Sequence, residues 1–220
     1  MTNLTAAGRL ENYYRWHSRI YDSTRWAFLF GRHKLVRLAA EGPVPFRILE
    51  IGCGTGTNLT ELARIFPAAE VVGLDCSADM LEIAKRKTRG FGARVSLRQG
   101  AYRAPIAEGR PFDLIVFSYC LSMINPGYDE VLEHCVQDLH PAGRVAAVDF
   151  HDTPHAWFRR WMSLNHVRME GHLVPAIAGV GLRCNRMEIV RAYGGVWSWF
   201  TWIGSPSSDA RAKCRSSISR

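Results

Sequence analysis

Three glycines separated by single residues, Gly52, Gly54 and Gly56, follow an apolar run in the stretch Ile48-Leu49-Glu50-Ile51-Gly52-Cys53-Gly54-Thr55-Gly56-Thr57-Asn58. A buried strand running straight into such a turn and then a helix cradles a nucleotide-like ligand. Glycine permits backbone angles and close approaches that a Cβ forbids. The spacing is G-x-G-x-G; the dinucleotide fingerprint, G-x-G-x-x-G, would need its third glycine where Thr57 stands. Glu50, inside the strand end, suits a cationic amine rather than a pyrophosphate. Asp75 closes the next apolar run, Val71-Val72-Gly73-Leu74, where a carboxylate accepts hydrogen bonds from two ribose hydroxyls.

These groups need a parallel sheet to bring them together, and the chain alternates strand and helix signals as such a sheet requires. Strands are expected near 46–51, 70–74, 93–98, 112–117 and 143–150, with helices near 57–66, 78–88 and 128–139. Residues 5–40 read as two helices meeting near Ser18 to Ser23. They are rich in aromatics (Tyr13, Tyr14, Trp16, Tyr21, Trp26, Phe28 and Phe30) and end at Gly42-Pro43-Val44-Pro45. After Asp149 a helical stretch over about 155–178 precedes two β-rich runs, 187–193 and 196–203, joined at Gly194-Gly195, a hairpin signal. The expected fold class is α/β, a seven-stranded and mostly parallel sheet with a C-terminal antiparallel hairpin and an N-terminal helical cap. One domain is expected over 1–204, divided into a cap (1–42) and a core (43–204), before a disordered basic tail at 205–220.

The glycine loop, Glu50 and Asp75 together resemble the S-adenosylmethionine site of the Rossmann-like, class I methyltransferases. That resemblance implies that Glu50 and the turn Gly52, Cys53, Gly54, Thr55 and Gly56 hold the methionyl part, with Asn58 and Ser118 also on the cofactor. Asp75 would take the ribose, Cys76 and Met80 the adenine edge and face, and Gly100, Ala101 and Tyr102 would lie beside the adenine. Gln99-Gly100-Ala101-Tyr102 stands where many relatives have a Gly-Asp-Ala-type sequence, so the usual acidic residue is missing there. Cys53 and Cys76 also read as small packing residues. Methyl transfer from a sulfonium is an in-line displacement that requires positioning and exclusion of water, with neither a metal nor a covalent intermediate.

A narrower resemblance rests on Tyr21-Asp22-Ser23-Thr24-Arg25-Trp26, Gly31-Arg32, the loop from Phe117 to Ile124 and Val148-Asp149-Phe150. These segments are similar to bacterial enzymes that N-methylate lipid headgroups, above all the diacylglycerylhomoserine N-methyltransferases. By that comparison Tyr21 and Arg25 close over the cofactor and Tyr119 faces the methyl group, with Tyr119 and Tyr21 as the catalytic pair. The alternatives are a soluble metabolite or quinone acceptor (N, O, S or C), or a catalytically silent S-adenosylmethionine-binding protein acting through a partner.

Composition bounds the partners. A formal charge of +8 and a pI of about 9.5 favour an anionic surface, nucleic acid or lipid. Nucleic acid is disfavoured: Asn125-Pro126-Gly127-Tyr128 has the wrong position for an Asn-Pro-Pro-Tyr motif, which belongs directly at the end of the fourth strand, and reads as a turn. The six cysteines form no C-x-x-C pair, His151 and His155 flank Pro154, and no metal site is expected. His17 and His151 are open as proton acceptors. Neither a signal peptide nor a membrane-spanning run is visible, so a cytoplasmic protein is expected, with peripheral contact at the inner membrane face. Trp197, Trp199, Phe200 and Trp202 read either as strand packing or as an interfacial patch.

Overall fold

The computed structural model describes residues 28–207. The central sheet has the order β3-β2-β1-β4-β5-β7-β6. Five strands run parallel: β1 (Arg47–Ile51), β2 (Glu70–Asp75), β3 (Val95–Gln99), β4 (Phe112–Ser118) and β5 (Leu139–Phe150). The last two, β6 (Leu182–Ala192) and β7 (Trp197–Pro206), form an antiparallel hairpin, with β7 against β5. The helices are α1 (Arg32–Ala40), α2 (Thr57–Ile65), α3 (Ala78–Thr88), α4 (Tyr128–Asp138), α5 (Ala156–Leu164) and α6 (Leu173–Gly179). The parallel strands are those expected from the alternation of signals, and with the closing hairpin they make the Rossmann-like methyltransferase fold that the resemblance implied.

Strand alternation builds two cores. Ile48, Val71, Leu114, Val116, Ala146 and Val148 face α1, α2 and α5. Leu49, Ile51, Val72, Ile115, Phe117 and Val145 face α4 and α6. Local chemistry sets the helix starts. Ser77 caps α3 by accepting the Met80 N–H at 3.3 Å, with Asp79 in the first turn and Lys85, Arg86 and Lys87 in the last, matching the helix dipole. Asn125-Pro126-Gly127 is the turn before α4, and Gly127 stands at its N-cap with φ 118°.

Several boundaries differ from the sequence reading. β5 begins at Leu139 rather than 143, with an irregular register between Phe112 and Leu114. The helical stretch after Asp149 is two helices, separated at Asn165, His166 (φ 60°) and Gly171 (φ 67°). Trp197, Trp199, Phe200 and Trp202 are all buried, which removes the interfacial-patch reading of that run: Trp197 and Trp199 enter the core on one face of the sheet and Phe200 and Trp202 the core on the other. Of the expected N-terminal cap, α1 is described, whereas Tyr13, Tyr14, Trp16, His17, Tyr21, Arg25 and Trp26 lie outside the described residues, as does the tail beyond Ser207.

Two polar clamps fix the frame under the site. The Arg144 guanidinium donates to the carbonyls of Ala39 and Pro43, joining the end of α1 and the following linker to β5. Asp138, fully enclosed, accepts from the Tyr102 hydroxyl at 2.6 Å and from the Ile106 and Ala107 N–H groups at 2.8 Å. Removing that carboxylate strands three donors, so Asp138→Ala is expected to cost about 3 kcal/mol or more in urea unfolding.

Candidate cofactor and acceptor site

The sheet order reverses between β1 and β4, and the loops beyond their carboxyl ends open a crevice there. Gly52, Gly54 and Gly56 all take positive φ (69°, 52° and 74°). Their surroundings differ. A Cβ on Gly52 would strike the Cys120 side chain at 2.6 Å and one on Gly56 would strike Ala84 at 2.9 Å, whereas one on Gly54 meets nothing within 4 Å. Gly52 and Gly56 are therefore packing glycines, and Gly54 is the one whose bare backbone faces open space.

The loop is held from both sides. Gly52 and Cys53 donate to the Leu74 carbonyl at 2.8 and 3.0 Å. Asp75 accepts from the Gly54 N–H at 2.7 Å and the Ser77 N–H at 2.9 Å. Lys87, at the end of α3, donates to the hydroxyls of Thr55 (3.0 Å) and Thr57 (3.3 Å). Burial pushes the Asp75 carboxyl above its ordinary range, against the pull of these backbone donors. Asp75 thus shapes the loop as well as facing the crevice, a double duty its position in the sequence does not reveal.

Four buried polar atoms around this loop have no hydrogen-bond partner among the described residues: Glu50 Oε2, Asn58 Oδ1, Ser118 Oγ and Arg32 Nε. Glu50 Oε1 accepts from Asn58 Nδ2 at 2.7 Å. Desolvation raises the Glu50 pKa to about 8, with Asn58 and the Arg32 charge opposing. Such groups are costly to leave unpaired, and their types define the ligand that would satisfy them: an ammonium for Glu50 and a carboxylate for Arg32. S-adenosylmethionine presents such an ammonium and carboxylate on its methionyl part, next to a ribose whose hydroxyls would donate to a carboxylate such as Asp75. Arg32 was not among the cofactor residues expected from the sequence. It starts α1, after Gly31, whose φ of 77° and close approach to the Trp199 indole leave no room for a Cβ.

Other expected residues fall differently. Cys53 is buried against Gly73, and its thiol is pushed far above the ordinary range by burial. Met80 is buried at the start of α3, while Cys76 is half-buried beside Asp75. Gly100 donates to the Asp75 carbonyl at 2.9 Å and Ala101 is exposed. The Tyr102 side chain turns into the α4-facing core and its hydroxyl is spent on Asp138, which leaves its backbone, not its ring, for the expected place beside the adenine.

Tyr119 follows β4 with a left-handed backbone (φ 55°), held by its N–H on the Val148 carbonyl at 2.8 Å. Its ring meets Phe150 edge-on at 4.8 Å and its hydroxyl donates to the Phe30 carbonyl at 2.7 Å. Phe150 continues to Trp197 (5.3 Å), which lies beside Phe30 (5.8 Å) and Phe28 (6.3 Å). A cluster of aromatic rings thus packs beyond the carboxyl ends of β4 and β5, with Tyr119, Phe150 and Trp197 buried and Phe30 at its exposed edge. His151 lies beyond β5 beside Phe200, its pKa lowered by burial, on the opposite face of the sheet from Tyr119. Among the described residues no group of three His, Cys, Asp or Glu could hold a metal ion.

The fold is the Rossmann-like methyltransferase fold, and residues 48–143, less than half of the chain, match the family described as "Methyltransferase domain". The demethylmenaquinone methyltransferase of Thermus thermophilus is 34% identical over 144 residues, covering 63% of this chain and 64% of that protein. The match thus spans just under two thirds of the relative's length. Phosphoethanolamine N-methyltransferase 2 of Haemonchus contortus, solved with S-adenosyl-L-methionine, superimposes with a TM-score of 0.75 at 13% identity, over 94% of this chain and 61% of that one. The [4+2]-cyclase SpnF reaches the same TM-score at 16% identity, over 93% of this chain and 98% of that one. These two likenesses show the fold.

With the Glu50 carboxyl pushed up to about 8 by burial, an ammonium bound there is expected to make cofactor affinity pH-dependent. An incoming ammonium favours the ionised carboxylate, so binding below pH 8 releases a proton and affinity is expected to rise with pH, by up to about tenfold per unit. Without ligand the sign is opposite: folding favours the protonated acid, so stability falls as pH rises from 4.5 toward 8. Calorimetry in buffers of different ionisation enthalpy reads the proton release, and Glu50→Gln is expected to abolish it while weakening binding.

Proposed function

We propose that the protein transfers a methyl group from S-adenosylmethionine to an acceptor carried on a lipid, and that the accepting atom is an amine nitrogen of the headgroup. The observation that carries this reading is the cluster of aromatic rings, Tyr119, Phe150, Trp197, Phe28 and Phe30, packed beyond the carboxyl ends of β4 and β5. When bound, S-adenosylmethionine supplies an activated methyl on a sulfonium. The chain's own work is to hold and to exclude water. Glu50 and Arg32 would grip the amino-acid end, Asp75 the ribose, and the bare Gly54 backbone the bend between them.

Aromatic faces suit an amine acceptor. They desolvate its neutral form, which has the lone pair needed for attack, and stabilise the ammonium that develops. The Phe30 carbonyl, fixed by the Tyr119 hydroxyl, adds a negative dipole at the same place. Tyr119 acts here by positioning Phe30 and presenting its ring. Tyr21 and Arg25 remain proposed to close over the cofactor from the N-terminal segment.

A second reading, a quinone-type ring as acceptor, is supported by the demethylmenaquinone methyltransferase similarity. Incubation with methyl-labelled S-adenosylmethionine and micelles carrying either a primary-amine lipid or a reduced demethylated quinone separates the two. Label in the amine lipid supports the first reading; label only in the quinone supports the second; label only in soluble acceptors overturns both. Tyr119→Phe is expected to lower kcat by about tenfold with cofactor affinity within about twofold, since the lost hydrogen bond serves the acceptor end.

A further inference from the structure

The aromatic residues left in solvent are not the tryptophans of β7 but those of α5. Trp157, Trp161 and Leu164, spaced i, i+4, i+7, form one stripe and are 65%, 45% and 73% exposed. The opposite stripe, Phe158 and Met162, is buried in the α1-facing core, so α5 is apolar on both sides although only one has a protein partner among the described residues. Tyr193, 56% exposed, extends the patch through Phe28, which lies 6.1 Å from Trp161 and 6.3 Å from Tyr193.

The charge around this stripe has one sign. The helix Ala-Trp-Phe-Arg-Arg-Trp-Met-Ser-Leu carries two arginines and no acid. Arg159 is turned inward, donating to the carbonyls of Thr153 and Met169 and pairing with Asp152. Arg160 is exposed and makes no salt bridge among the described residues, while nearby Glu170 is neutralised by Arg168. Large indoles beside a free guanidinium match the boundary of an anionic bilayer, where the rings enter the headgroup layer and the cation meets lipid phosphates. The patch also touches the acceptor end, since Phe28 joins Trp161 to Trp197.

We infer that the Trp157, Trp161 and Leu164 face of α5, with Arg160, docks the protein on an anionic membrane surface beside the entrance for its acceptor. The inference rests on the lipid-borne acceptor reading for its purpose, but the docking is measurable without any acceptor. Full-length protein is mixed with phosphatidylcholine vesicles with and without phosphatidylglycerol, and partitioning is followed by sedimentation and by the blue shift of tryptophan emission. Wild type is expected to bind the anionic vesicles and to be released by salt. Trp157→Ser/Leu164→Ser, both at exposed positions, is expected to weaken vesicle binding about tenfold or more while leaving the methylation rate on a micelle-dispersed acceptor unchanged. Arg160→Gln is expected to remove most of the preference for anionic over neutral vesicles.

Vesicle binding by the double variant equal to wild type would overturn the proposal, since net charge alone would then suffice. A wild-type dimer that the double variant turns into a monomer would overturn it in favour of a second copy on this face. Failure of the acceptor reading shows separately, as patch-dependent vesicle binding without methylation of any lipid-borne acceptor.

Discussion

The parallel pairing of β1 with β2 on one side and β4 on the other is the constraint from which the site follows. Glu50 lies opposite Gly73 and Val116 in that register, so a slip of one residue would exchange Glu50 for a core leucine or isoleucine and move every group of the crevice to the wrong face. The reversal of strand order at β1 and β4 leaves the space into which the glycine loop, Asp75 and Tyr119 project. The Asp75 carboxylate then completes the geometry by receiving Gly54 and Ser77 at once, and Lys87 fastens the threonines of the same loop.

A folded chain tolerates few buried polar atoms without partners, and here four gather at one crevice. Two other buried charges are partnered, Asp138 receiving three donors and Arg144 spanning two carbonyls, although unpartnered atoms also occur at Ser122, His134, His172 and Trp197. What sets the crevice apart is that a carboxylate oxygen and a guanidinium nitrogen, groups of opposite charge, are together there without partners among the described residues. It also explains the Glu50 pKa, since a carboxyl enclosed with an amide on one side and empty of donors on the other holds its proton until a cation arrives.

The fold does not choose the acceptor. A cyclase and an N-methyltransferase fit the same coordinates equally well, at identities too low to speak of chemistry. In this chain the carboxyl ends of β4 and β5 carry their own cover. It is aromatic, from Phe28 and Phe30 at one end of the chain to Tyr193 and Trp197 at the other, and it passes without interruption to the exposed indoles of α5.

Strand and helix order, the glycine turn, the two acidic residues and the closing hairpin were legible in the sequence, because period-two and period-3.6 patterns, glycine spacing and a Gly-Gly junction are local signals. Burial over long separations was not. Arg32 lies near Glu50 only because Gly31 packs against Trp199, and nothing in the spacing of three residues so far apart in the chain announces that contact. Tyr102 follows the third strand as an adenine neighbour should, yet a carboxylate thirty-six positions away captures its hydroxyl. The same holds for the tryptophans: Trp157 and Trp197 read alike in one dimension, and only the core packed on the face of β7 buries the second while the first is left in solvent. Local sequence thus determined which elements form and which chemistry they carry, whereas tertiary packing decided which of those side chains keep a free polar atom or an open face, because desolvation depends on neighbours that the chain brings from far away.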